Sequence, residues 1–158
     1  FDTSNVTKFV QMFYKCSGLT SLDLSNFDTS SATNLATMFG NCYSLTSLDL
    51  SNFNTSNVTK LYQMFHRCSG LTSLDLSSFD TSNVTDITFM FAECTNLVSL
   101  NVSSWDVSSI PNTTNSNYSP FKDCTSLMSL KVKSGTYNWW YQELTKAGIQ
   151  SNVTITEV

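Results

Sequence analysis

The sequence predicts an α/β repeat fold, a solenoid of five coils of about 26 residues closed by a C-terminal helix and strand. The first observation is a near-copy of one unit that returns every 26 residues; the units open at Phe1, Phe27, Phe53, Phe79 and Trp105. The second is that each unit contains a run with the period of a strand and a run with the period of a helix. Because neither run can bury its apolar side alone, successive units are expected to stack.

Each coil is expected to contribute one short parallel strand. Apolar and polar residues alternate in Leu22-Asp23-Leu24, and the same alternation returns in Leu48-Asp49-Leu50 and Leu74-Asp75-Leu76. A period of two residues is that of a strand with one buried face. We therefore expect the leucines to point into the core and the aspartates to lie along an exposed face.

Each coil is also expected to contribute one short helix. In the third unit five apolar residues share the spacing of a helix face: Val58, Leu61, Met64, Phe65 and Cys68. Ser56 or Asn57 is expected to cap the start of this helix. Gly70 is expected to be the left-handed residue after its end.

Residues 135–158 depart from the repeat and are expected to cap the solenoid of residues 1–134 within the same domain. The segment WWYQELTKAG predicts a helix that ends at Gly148, and Val153-Thr154-Ile155 predicts a strand. Trp139 and Trp140 are expected to cover the last coil, with an aromatic sugar-binding platform as the alternative. The fifth unit carries four extra residues, which predicts a loop at 112–120. The chain begins within a unit, so we expect it to be a piece of a longer protein.

The spacing Leu19-x-x-Leu22-x-Leu24 matches the strand signature of leucine-rich repeats. Together, FDTSNVT and MFxxCSxLTSLDLS resemble the BspA-like bacterial leucine-rich repeats, over residues 1 to about 134. Phe27, Phe53 and Phe79 stand where such repeats usually have Asn or Cys. The turn carbonyls are therefore expected to bond other side chains, either Asp28, Asn54 and Asp80 or the neighbouring Thr and Ser. The resemblance implies an extracellular module on the bacterial cell surface that binds host or microbial proteins or glycans.

Composition excludes several classes of protein. Aromatic residues make up 13% of the 158 residues, too many for a disordered chain. No apolar run approaches the roughly 20 residues of a membrane span, so no membrane insertion is expected. The chain has a net charge of -4, so it is not expected to present the basic face that binding to a nucleic acid requires. We expect a monomer without a cofactor.

The five cysteines recur once per unit: Cys16, Cys42, Cys68, Cys94 and Cys124. Metal sites use cysteine pairs two to four residues apart, which this spacing does not provide. Stacked cysteines would have parallel Cβ directions, which disfavours a disulfide. Buried free thiols are therefore expected, and no metal site.

Two exposed surfaces are candidates for ligand binding. The first, the strand face, comprises Ser21, Asp23, Ser25, Ser47, Asp49, Ser51, Ser73, Asp75, Ser77 and Asn101, with Lys131 continuing the column. It is either a solvated face held by hydrogen bonds, a cation-binding strip or a ligand-contact surface. The side chains of a second acidic column are expected to bond the backbone of their own turns, two residues further on. This column comprises Asp2, Asp28, Asn54, Asp80 and Asp106.

The second surface, the variable rim, comprises Tyr14, Tyr43, His66 and Arg67. These positions differ between units, which indicates that stacking does not constrain them. Their residues either specify a ligand or vary by drift on an exposed surface. His66 is the only histidine, and neither a Ser-His-Asp arrangement nor a phosphate-binding glycine loop is present. We therefore expect no catalytic residues and no enzyme.

The sequence predicts a recognition or adhesion module, with a passive spacer within a larger surface protein as the alternative. An ice- or water-ordering array of Ser and Thr columns is a third, weaker hypothesis.

Overall fold

The computed structural model of the chain describes residues 2–112 and 116–158. Regular elements are few and short: strand β1 (Ser73–Asp75), strand β2 (Ser99–Val102), a 3-10 helix (Ser116–Tyr118), strand β3 (Ser129–Val132), helix α1 (Tyr137–Lys146) and strand β4 (Thr154–Glu157). Turns make up most of the remainder. Phe1, expected to open the first unit, lies outside the described residues, as do residues 113–115 of the predicted loop.

The four strands form one parallel sheet in the order β1-β2-β3-β4. Residues one repeat apart are paired, so Leu74 faces Leu100 and Leu100 faces Leu130, with Ile155 of β4 next to them. Leu74, Leu100 and Leu130 are buried, as the alternation of the sequence predicts.

The predicted leucine-rich-repeat solenoid, with a strand and a helix in each of five coils, is wrong. Among the described residues α1 is the only α-helix, and it lies after the repeats. No strand forms at 22–24 or 48–50, so the sheet begins in the third repeat. Residues 2–112 and 116–158 instead contain one α-helix, one 3-10 helix and four short strands in a single sheet.

The segments predicted to be helical are runs of turns. In the third repeat alternate N–H groups donate to the next repeat, as Gln63 N does to Thr88 O at 3.0 Å and Phe65 N to Met90 O at 2.9 Å. An α-helix directs every N–H along its own axis, so this pattern excludes one. Gln63 (φ 54°) and Arg67 (φ 61°) also adopt left-handed backbone, which a right-handed helix cannot contain.

The turns explain why the sequence pattern resembled a helix. The remaining N–H groups bond the carbonyl three residues back, as Met64 N does to Leu61 O at 3.1 Å and Cys68 N to Phe65 O at 3.0 Å. Such turns return side chains to the core every three or four residues, as a helix does. The predicted apolar face is accordingly buried, although the conformation is different: Val58, Leu61, Met64, Phe65 and Cys68.

The predicted helix ends have other roles. Asn57 does not cap a helix; its Nδ2 donates to Ser30 O of the preceding repeat at 3.0 Å. Gly70 is not left-handed, since the glycines with positive φ are Gly135 and Gly148. A Cβ atom at Gly70 would lie 2.7 Å from Leu45 O, so close approach of two repeats, not φ, requires glycine there.

Equivalent residues of successive repeats contact one another. Five phenylalanine rings form a stacked column with centroids 5.5–5.9 Å apart: Phe13, Phe39, Phe65, Phe91 and Phe121. Buried Thr3, Thr29, Thr55 and Thr81 each donate Oγ1 to a carbonyl of the next repeat at 2.9–3.0 Å. The expectation that neighbouring side chains bond the turn carbonyls is confirmed for the threonines and wrong for Asp28, Asn54 and Asp80, whose side-chain oxygens accept from turn N–H groups instead. The threonine bonds satisfy polar groups that would otherwise be buried unpaired.

The C-terminal segment covers the last repeat. Trp140 and Leu144 of α1 are fully buried, and Trp140 lies 5.9 Å from Phe121 between ring centroids. Trp139 is half-buried, and β4 extends the sheet beside β3. The helix is followed by Gly148 in left-handed backbone (φ 74°), as the sequence predicts. No helix of the described residues has the length and apolar character needed to cross a membrane.

Candidate functional site

The strand face is ordered by the register of the sheet. Ser73, Ser99 and Ser129 align across β1, β2 and β3. Asp75 aligns with Asn101, whose Nδ2 donates to Asp75 Oδ2 at 3.1 Å, and Asn101 aligns with Lys131. The residues of the first two repeats are also exposed but lie on irregular backbone: Ser21, Asp23, Ser25, Ser47, Asp49 and Ser51.

The aspartates of the strand face bond their own turns. Asp23 Oδ1 accepts from Ser25 N and Asp49 Oδ1 from Ser51 N, both at 2.9 Å. Asp75 Oδ1 accepts from the N and Oγ of Ser77, at 2.9 and 2.6 Å. Because these bonds favour the ionised form, each lowers the pKa of its aspartate. Among the described residues, no three His, Cys, Asp or Glu side chains are grouped closely enough to hold a metal.

The second acidic column has the role that the sequence predicts. An oxygen of each side chain accepts from the backbone N–H two residues later at 2.9–3.0 Å: Asp2, Asp28, Asn54, Asp80 and Asp106. The assignment of this column to turn chemistry is confirmed.

On the variable rim, Glu93 joins His66 to Arg67. Arg67 Nε donates to Glu93 Oε2 at 2.7 Å and His66 Nε2 lies 3.3 Å from Glu93 Oε1. Hydrogen bonding to Arg67 lowers the pKa of Glu93, and burial lowers the pKa of His66. An ionised carboxylate only accepts, so a hydrogen bond from neutral His66 to Glu93 requires the tautomer with its hydrogen on Nε2. No pattern in the sequence indicates that Glu93 pairs with both His66 and Arg67.

The two rim tyrosines make separate contacts. Tyr43 OH donates to Asn41 Oδ1 at 2.8 Å. The ring of Tyr14 lies 5.1 Å from Lys15 Nζ, which is a cation–π contact.

A cleft of about 550 Å³, which the sequence analysis missed, lies between the third and fourth repeats, the 3-10 helix and α1. Four aromatic rings line it: Tyr62, Phe89, Tyr118 and Trp139. Phe89 is in edge contact with two of them, 6.4 Å from Tyr62 and 5.7 Å from Tyr118 between centroids. We call this surface the aromatic cleft.

The backbone places each ring at the cleft. Phe89 occupies a left-handed turn position (φ 55°), equivalent to Gln63 (φ 54°) one repeat earlier. Tyr118 ends the 3-10 helix and is 51% exposed. Trp139 belongs to α1, and its Nε1 donates to Ile110 O at 3.3 Å. A comparison of equivalent positions would have identified Phe89, because the preceding repeats have Gln11, Thr37 and Gln63 there.

The polar groups of the cleft are acidic or neutral: Thr85, Asp86, Thr88, Asn112 and Glu143. Asp86 Oδ1 accepts from Thr88 N at 3.0 Å. Glu143 is fully buried and accepts from Lys146 Nζ at 2.7 Å. No lysine or arginine of the described residues lines the cleft. The rim adjoins it, because the His66 ring lies 6.4 Å from that of Phe89.

Comparison with known proteins gives one family match. The family model described as "Mycoplasma protein of unknown function, DUF285" matches residues 7–130, which is more than three quarters of the chain. The match includes the repeats and the rim but ends before helix α1. No curated protein matches the chain.

Proposed function

Since the chain belongs to the DUF285 family of Mycoplasma proteins of unknown function, its role must be inferred from its geometry, and we propose a recognition module that binds a protein or glycan through the aromatic cleft and the adjoining rim. The aromatic cleft is the observation that carries this proposal. Binding pockets in proteins typically enclose 300–1,000 Å³ and combine aromatic walls with a few polar groups. The cleft has this size and this lining.

The ring positions support a binding role. Phe89 stands where the preceding repeat has Gln63, and Tyr118 belongs to the 3-10 helix, an element that the other repeats lack among the described residues. The core does not require an aromatic ring at position 89, because the preceding repeats have Gln11, Thr37 and Gln63 there. Half-exposed aromatic side chains grouped on a surface are typical of recognition sites.

Within the family, we place the protein among BspA-like modules of the bacterial cell surface. The repeated FDTSNVT and MFxxCSxLTSLDLS motifs support this placement. An extracellular location would expose thiols to oxidation, and four of the five cysteines are buried. Both features are compatible with a surface protein.

The alternative function is a passive spacer within a larger surface protein. The strand face favours it, because Asp23, Asp49 and Asp75 already bond their own turns. A spacer has no need of a cleft lined by aromatic side chains, and for this reason we prefer the recognition module.

A binding screen separates the two functions. The purified chain is immobilised and titrated with extracellular-matrix proteins, mucins and intact bacteria. A recognition module gives saturable binding to at least one of them, and Phe89→Gln weakens it. A spacer gives no saturable binding to any, which would overturn the proposal.

A further inference from the structure

We propose that the aromatic cleft is a carbohydrate-binding site for an uncharged oligosaccharide of hexose or N-acetylhexosamine units. This inference rests on the proposed recognition function and names the ligand of that same site. It depends on the chemistry of the cleft lining, which combines aromatic rings, hydroxyl and carboxylate groups, and no cationic side chain of the described residues.

The rings match the apolar faces of sugars. A pyranose presents a patch of C–H groups on each face, which packs against the face of an aromatic ring. Phe89, Tyr118 and Trp139 supply such rings from three parts of the chain. Phe89 and Tyr118 meet at 69° between their planes, so the two rings present differently oriented surfaces to a ligand. The ring of Trp139 is held in place before any ligand binds, because Trp139 Nε1 donates a hydrogen bond to Ile110 O.

The polar groups match sugar hydroxyls. Asp86 accepts hydrogen bonds, and the hydroxyl of Thr88 both donates and accepts. Thr85 Oγ1 donates to Thr59 O at 3.3 Å and can still accept. Asn112 Nδ2 donates to Gln142 Oε1 at 3.1 Å, which fixes the orientation of its amide. A sugar hydroxyl both donates and accepts, so neighbouring carboxylate, hydroxyl and amide groups are suitable partners.

The charge of the cleft favours an uncharged ligand. The buried carboxylate of Glu143 is balanced by Lys146, whereas Asp86 forms no ion pair among the described residues. No arginine or lysine of the described lining could bind a carboxylate or phosphate. An anionic sugar would be repelled by Asp86 and by the net charge of -4.

The repeats themselves provide the test variants. Phe89→Gln introduces the residue that the preceding repeat has at the equivalent position, Gln63, where the backbone is also left-handed. Tyr118→Thr introduces the residue found three positions before Phe91, as Tyr118 lies three before Phe121, and keeps a hydroxyl group at this 51% exposed position. Tyr141→Ala is the matched control, because Tyr141 lies on α1 beside Trp139 but is 44% exposed and outside the cleft lining.

The experiment screens the purified chain on an array of neutral hexose and N-acetylhexosamine oligosaccharides and their sialylated counterparts. The strongest neutral oligosaccharide is then titrated by calorimetry against the parent chain and the three variants. We expect binding to neutral members in preference to sialylated ones. Phe89→Gln and Tyr118→Thr should each bind about tenfold more weakly with unchanged melting temperature, while Tyr141→Ala binds normally.

The opposing outcomes are distinct. Binding to proteins but to no neutral oligosaccharide would overturn this inference and leave the recognition function standing. Sugar binding that Phe89→Gln and Tyr118→Thr leave unchanged would place the site elsewhere. Stronger binding of the sialylated members would contradict the charge argument, and the absence of binding to any protein, glycan or cell would remove the proposed function as well.

Discussion

The buried cysteines form hydrogen bonds between successive repeats. Cys42, Cys68, Cys94 and Cys124 each donate the thiol hydrogen to a phenylalanine carbonyl of the preceding repeat at 2.8–3.1 Å. Burial raises the pKa of Cys42 to about 11 and that of Cys124 to about 12. The prediction of buried free thiols is confirmed for these four and wrong for Cys16, which is exposed at the end of the stack.

Thiol labelling tests this arrangement. At neutral pH the folded chain should react with iodoacetamide at Cys16 while the other four cysteines are protected, because a buried thiol of raised pKa supplies almost no thiolate. All five should react in denaturant. Peptide mapping by mass spectrometry identifies the labelled residues, and fast labelling of Cys68 or Cys94 in the folded chain would contradict the structure.

The turn closed by Asp75 should stabilise the folded chain at neutral pH and lose this contribution at low pH. Hydrogen bonds from Ser77 lower the pKa of Asp75 below its ordinary value of 3.8, so folding favours the ionised form. This contribution is fully present above pH 3.8 and is lost as the pH falls through the lowered pKa. Asp75→Asn retains an acceptor, as Asn101 does for Ser103 N at 3.2 Å, but cannot titrate.

The free energy of unfolding, measured by urea denaturation at several pH values, should therefore fall less steeply below pH 3.8 in Asp75→Asn than in the parent chain. Parallel pH profiles would show that the ionised form of Asp75 is not preferred in the folded state.

At the scale of elements, the sequence correctly indicated which side chains are buried and misjudged the backbone that buries them. Met64 and Phe65 are fully buried as predicted. Turns that close on the residue three back have nearly the same side-chain period as a helix, so periodicity alone could not separate them. The deciding interaction is between repeats, as in the bond from Gln63 N to Thr88 O, and no local pattern contains it.

A glycine substitution distinguishes a turn from a helix. Gln63 has a φ of 54°, a conformation that costs a non-glycine residue about 1–2 kcal/mol. Gln63→Gly relieves this strain and loses about 0.4–1 kcal/mol through the greater freedom of the unfolded chain. The free energy of unfolding should therefore be unchanged or raised by up to about 1.6 kcal/mol.

Gln142→Gly in α1 is the control and should lose at least about 1 kcal/mol, because glycine is unfavourable within a helix and the hydrogen bond from Asn112 Nδ2 is also lost. Denaturant unfolding of both variants gives the comparison. An equal loss in Gln63→Gly and Gln142→Gly would indicate that residue 63 is helical after all.

At the scale of the molecule, the sequence predicted that like residues of successive repeats meet, but it missed the aromatic cleft. The cleft joins Tyr62 and Phe89 of the repeats to Tyr118 and to Trp139 of α1. These residues are far apart in sequence, and nothing local indicates that the C-terminal helix lies beside the fourth repeat. The strand face, in contrast, was visible in the sequence because it repeats.

Both the core and the aromatic cleft depend on the stacking of the repeats. The most direct test of this stacking is a nuclear Overhauser spectrum of a sample protonated only at its phenylalanine rings. If the repeats stack, cross-peaks connect residues one repeat apart, from Phe39 to Phe65 and from Phe65 to Phe91, whose ring centroids are 5.8 and 5.9 Å apart. Cross-peaks confined to rings that are close in sequence, such as Phe89 and Phe91, would contradict it.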